Sequence, residues 1–139
     1  TIRANYRTLV TRQTRLGHDV HFTGLPVVGS GAVWIGDNFH SGTDCLIITA
    51  FHDYDDGEAL PYGTTDLVKP VRIGDNVWLG SRVTILGEVE IGEGAVVQAG
   101  AVVVSNVAAS AIVGGNPARQ FKTRDVGHYV NLKAQGRYL

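Results

Sequence analysis

The sequence predicts an all-β protein, a parallel β-helix wound as a three-sided prism. A six-residue period, dispersed glycines and a single long interruption of the period carry that prediction. From residue 73 an aliphatic or small residue recurs every six positions, at Ile73, Leu79, Ile85, Ile91, Val97, Val103 and Ala109. Four residues after each comes a second series, Val77, Val83, Val89, Ala95, Ala101, Val107 and Val113. A period of six fits neither a helix at 3.6 nor an alternating strand at 2. It fits one short strand and one corner per prism side, so three hexads, about 18 residues, close one coil. Small or β-branched residues suit the second series because side chains from three walls converge on a narrow interior. The 18 glycines, with the Asn and Asp residues between the series, supply corners that need a positive φ.

An earlier run of the same frame has Leu16, Phe22 and Val28 in the first series and Val20, Pro26 and Ala32 in the second. One extra residue intervenes near Trp34. Ile35, Ser41 and Ile47 then resume the frame, with Phe39, Cys45 and Phe51 as their partners. The six early and seven late hexads predict about four coils stacked at about 4.8 Å. The period breaks between Ile47 and Ile73, and residues 52–70 read as a loop thrown out of the prism. A long insertion in a solenoid is a favoured place for binding. Residues 1–15 and 120–139 read as an N-terminal cap and a C-terminal tail around a β-helix over 16–119, the whole forming one domain.

A net charge of −1 over 139 residues gives no electrostatic case for nucleic acid or an anionic membrane. No apolar run is long enough for a membrane span. The single cysteine, Cys45, excludes an internal disulfide and fits a reducing compartment. With no signal-peptide pattern at the start, the expectation is a soluble, cytoplasmic protein. Without a glycine-rich phosphate loop opening a helix, a nucleotide-triphosphate function has no support.

Asn76-Val77-Trp78-Leu79-Gly80-Ser81, the hexads after it, and Gly114-Gly115-Asn116-Pro117-Ala118-Arg119 resemble the hexapeptide-repeat acetyltransferases. Within that family the chain is most similar to the maltose/galactoside and surface-polysaccharide O-acetyltransferase branch. The resemblance covers roughly residues 16–120. It implies a left-handed β-helix, a hand that the period alone does not give. It also implies transfer of acetyl from acetyl-CoA to a saccharide hydroxyl, no metal, and a homotrimer with active sites between subunits.

By the same resemblance His52, at the start of the excursion, is the general base. Imidazole suits that task because its ordinary pKa lies near neutrality. Glu58 and Asp66 are candidates to orient its other ring nitrogen, with Asp53 and Asp56 as weaker ones. Trp78, Gly80, Ser81, Ala99, Gly100, Asn116, Arg119 and Lys122 fall where the family holds CoA. The small residues there allow close approach of the pantetheine arm, and the cations can meet phosphates. His21 and Asp53 are candidate acceptor contacts. His21 stands near a position where sugar acetyltransferases carry an acceptor-binding Asn, a departure that bears on the acceptor. His18, His40 and His128 read as surface or capping residues.

Other readings of the same prism remain at this stage: N-acetylation of an amino sugar, O-acetylation of serine or an antibiotic, or a non-catalytic module. A γ-carbonic-anhydrase-type zinc site needs three histidines meeting at an interface. The His18/His21 and His40/His52 spacings do not supply it.

Overall fold

The computed structural model describes all of residues 1–139. Coil one contains β1 (Ile2–Asn5) and β2 (Thr14–Leu16), and coil two β3 (Val20–Thr23), β4 (Val27–Val28) and β5 (Val33–Ile35). Coil three has β6 (His40–Ser41) and β7 (Leu46–Ile48), then β8 (Ala50–His52) and β9 (Asp66–Val68), and finally β10 (Val71–Ile73). Coil four is β11 (Trp78–Leu79), β12 (Thr84–Leu86) and β13 (Val89–Ile91), and coil five begins with β14 (Val96–Val97) and β15 (Val102–Val103). β16 (Ala111–Gly114) starts a sixth turn; β17 (Arg119–Thr123) and the helix α1 (Val126–Ala134) close the chain.

Parallel pairing stacks these strands into three walls. Wall one runs β1-β3-β6-β11-β14-β16, with β17 antiparallel at its end. Wall two runs β4-β7-β12-β15, and wall three β2-β5-β10-β13. The fold is the left-handed parallel β-helix that the sequence led us to expect. It has five coils and part of a sixth rather than about four. Residues 1–15 are the difference: they form a coil, not a separate cap. As the terminal layer this coil has a neighbour on one side only, β1 is exposed throughout, and its sequence carries no apolar period.

The interior is one cluster of 25 buried apolar residues. Each strand turns alternate side chains inward, as in Val33–Ile35, Val71–Ile73 and Val89–Ile91. Burying a Leu or Ile this way contributes about 1.5–3 kcal/mol over leaving it in water. One corner repeats through the stack as Asp19, Asn38, Asn76, Gly94 and Ser110, all at positive φ. Asn38 donates to the Asn76 side-chain oxygen at 3.1 Å, so the corner is also a side-chain ladder.

Two slips in the period are corrected by the structure. In coil two, Leu25 and Val27 face inward while Val28 is 51% exposed, because the Gly24 corner is one residue short. The chain lengthens again at residues 29–32, so the irregularity precedes Trp34 and Val33 joins Ile35 in the core. In coil five, Val107 rather than Ala109 takes the first-series place, bridging to Ile91, and Ala109 is exposed. Asn106 fills the shortened wall by accepting from the Glu90 backbone N–H at 2.8 Å.

Candidate active site

The excursion is a β-hairpin rather than an open loop. β8 and β9 pair antiparallel, with Ala50 opposite Val68, Phe51 opposite Leu67 and His52 opposite Asp66. Its base is held by Thr49, which is fully buried: its hydroxyl donates to the Val28 carbonyl and accepts from the Gly31 N–H, both at 3.0 Å. The Lys69 N–H donates to the Thr49 carbonyl at 2.8 Å and closes the hairpin onto the prism. Gly57 and Gly63 cross tightly above; a Cβ on Gly57 would lie 2.4 Å from the Asp53 carbonyl oxygen.

Cross-strand pairing brings the His52 Nδ1 to 3.0 Å from an Asp66 carboxylate oxygen. The two side chains are 52% and 59% exposed, so the pair adds little to stability and acts mainly on orientation. Tyr62 stacks on the imidazole, ring centroids 3.9 Å apart and planes inclined by 9°. In the tautomer that carries its proton on Nδ1, beside the carboxylate, the Nε2 lone pair is left to accept a proton. Glu58 is turned elsewhere. Its carboxylate accepts from the Thr64 N–H at 2.9 Å and hydroxyl at 2.7 Å, and those bonds hold its pKa below the usual value. Asp53 accepts from the Asp56 N–H at 3.0 Å and shapes the mouth of the hairpin.

The residues expected to hold CoA form a column on the corner between walls one and two. Gly80, Ala99 and Gly100, then Asn116, succeed one another there, tied by bonds such as Val102 N–H to the Gly115 carbonyl at 2.9 Å. Gly80 is required by close stacking, since a Cβ would meet the Ala99 nitrogen at 2.6 Å. The Ser81 hydroxyl is engaged by Thr43, accepting from its N–H at 3.2 Å and its hydroxyl at 3.1 Å. Arg119 and Lys122 lie exposed on β17 at the same end. Trp78 projects from wall one beside the column. His52 leaves the prism between walls two and three, so one chain does not bring it to Trp78.

His21 and His40 pair across wall one, ring centroids 4.4 Å apart, and His40 pairs with Trp78. Burial, then the neighbouring His21, push the His40 pKa down. Residues 70–105 match the family model described as bacterial transferase hexapeptide (six repeats).

Those residues carry the hexapeptide repeat of that family.

In structure it is similar to a hexapeptide-repeat acetyltransferase of Vibrio cholerae O1 biovar eltor complexed with acetyl-coenzyme A. The identity is 26% and the TM-score 0.74, over 88% of this chain and 69% of that one. It is also similar to a maltose O-acetyltransferase of Clostridium difficile 630, at 26% identity and TM-score 0.77, over 88% and 66%. In sequence it is 36% identical over 107 residues to the acetyltransferase homologue YJL218W of Saccharomyces cerevisiae, covering 63% of this chain and 54% of the relative. The hexapeptide-repeat chain thus spans about half the length of the first curated relatives it matches, 54% and 42%.

Three features of the hexapeptide-repeat chain escaped the sequence. Thr49 carries no motif, and its place at a hairpin base follows only from pairing. Tyr62 lies ten positions from His52, and only the hairpin turn stacks them. His40, expected at the surface or in a cap, is half-buried against His21, a contact the repeat alignment of the two coils could have disclosed.

Proposed function

We propose that this protein transfers acetyl from acetyl-CoA to a hydroxyl of a saccharide, with His52 as general base and Asp66 as its orienting partner. The observation that carries the reading is the His52–Asp66 pair at the mouth of the hairpin, with Nε2 free. The acceptor hydroxyl gives its proton to Nε2 while its oxygen attacks the thioester carbonyl. The tetrahedral adduct then expels CoA as thiolate, and the imidazolium returns its proton as the thiol forms. Tyr62 holds the ring plane. Glu58, bonded to Thr64, serves the loop rather than the base.

The corner column of Gly80, Ser81, Ala99, Gly100 and Asn116 would carry the pantetheine arm, Trp78 would flank it, and Arg119 and Lys122 would meet the phosphates. His21 and Asp53 would face the acceptor. Because His52 and Trp78 leave different walls, the catalytic unit in this reading is a homotrimer in which one copy's hairpin reaches a neighbour's wall one. Support comes from the similar structures, which include a complex with acetyl-CoA and a maltose O-acetyltransferase.

The test is thiol release from acetyl-CoA over a panel of sugars, comparing the wild type with His52→Ala. A positioned general base contributes about 10²–10⁴-fold, and the substitution should remove that factor. Equal rates in both proteins would sink the assignment.

A further inference from the structure

A cavity of about 300 Å3 lies between wall one and the C-terminal segment. Its floor is Trp78, 56% exposed, beside His40 and Asn38. Arg137 and Tyr138, which follow α1, form its outer side. The volume stands at the lower end of small-molecule pockets and suits a single sugar ring.

The charges that line the groove are unequally committed. Arg124 donates to the Gly94 carbonyl at 3.1 Å and lies over the Tyr129 ring, and Lys133 is paired with Glu93. The Arg137 guanidinium forms neither an ion pair nor a side-chain hydrogen bond, and no acidic side chain lines the groove. The Trp78 indole N–H, the Tyr138 hydroxyl and the His40 ring nitrogens are also without hydrogen-bond partners. An exposed indole face covers the apolar face of a pyranose, while surrounding N–H and O–H groups meet its hydroxyls. The carboxylate of Glu93 behind the groove is taken up by Lys133 and Tyr129, so the Arg137 guanidinium, with no acidic partner, can hold an anion through two parallel hydrogen bonds.

We propose that this groove binds a monosaccharide-sized anionic sugar, with its ring face on Trp78 and its acidic group on Arg137. The inference rests on the saccharide-acceptor reading above and gives that acceptor a chemical class.

Calorimetric titration of the full chain without acetyl-CoA tests it, using glucuronate, glucose 6-phosphate and glucose as probes. At least one anionic sugar should bind saturably and about tenfold or more tighter than glucose, and the tighter of the two identifies the anion. Arg137→Gln should bring the anionic and neutral sugars to within about twofold of each other, and Trp78→Ala should weaken all three. Equal affinities in the wild type, or no saturable heat, would overturn the proposal. The measurement involves no turnover. A failure here leaves the His52 chemistry standing, and a failure of acetyl transfer leaves the binding result intact.

Discussion

Coils four and five and the hairpin of coil three share one chain but obey different rules. Between β11 and β14, and between β12 and β15, paired residues are 18 apart, and nearly every second side chain is fixed by burial. In the hairpin, partners are exposed and local, and single polar contacts decide which way each side chain points. The regular coils therefore carry stability through redundancy. The hairpin places its side chains, His52 and Asp66 among them, through geometry that no neighbouring coil repeats.

Substitutions can break that division, and the largest effect belongs to the regular part. Leu79→Ala removes a fully buried side chain and should cost about 2–5 kcal/mol in chemical denaturation. Ala109→Ser, at a position exposed by the coil-five slip, should stay within about 0.5 kcal/mol. A comparable loss at both positions would mean the slip is misplaced. Asp66→Asn should lower the transfer rate by less than the loss of about 10²–10⁴-fold expected for His52 itself, with little change in the unfolding midpoint. Glu58→Gln, on the same hairpin as His52 but bonded to Thr64, should lower it far less. Should the two variants prove equally impaired, the assignment of Asp66 over Glu58 fails. Tyr62→Ala should reduce kcat a few-fold, about 1 kcal/mol, leave the KM for acetyl-CoA unchanged and be rescued by Tyr62→Phe, since stacking and not the hydroxyl is used.

The smallest effect concerns α1, which is anchored by the Tyr129 hydroxyl donating to Glu93 at 2.8 Å and by the Lys133–Glu93 pair. Hydrogen bonds from Lys133 and Tyr129 lower the Glu93 pKa below its usual 4.5, and the Glu93 bond raises that of Lys133 above 10.5. The Glu93 contribution is present above pH 4.5 and is lost as pH falls through the depressed value; that of Lys133 is present below pH 10.5 and lost above the raised one. Amide exchange in α1 should therefore quicken in acid before that of the coils does. Uniform exchange across both regions would refute the anchor.

The same division explains what the sequence made legible. Residues 71–103 could be read position by position because two locked series leave no other register. The early coils were misplaced by one residue at Val28 because the Gly24 corner is shorter than its neighbours, and corner length leaves no mark on the apolar pattern. Ala109 fits the six-residue period yet lies exposed, because alanine is at home in either environment. His52 was found from where the period stops, together with a family resemblance. The choice between Glu58 and Asp66 required strand pairing across the hairpin, and the groove at Trp78 required the docked C-terminal segment. Neither has a periodic signature.

The hairpin enters coil three without disturbing the stack. The pairings across it are offset by 38 residues on all three walls, as in Val33 with Val71, His40 with Trp78 and Leu46 with Thr84. The prism registers only the two ends of the insertion, where Thr49 and Lys69 meet. Everything between them can be exchanged, lengthened or transplanted as a cassette while the coils above and below keep their alignment. Such a scaffold lets the segment between those two residues diversify without renegotiating the fold.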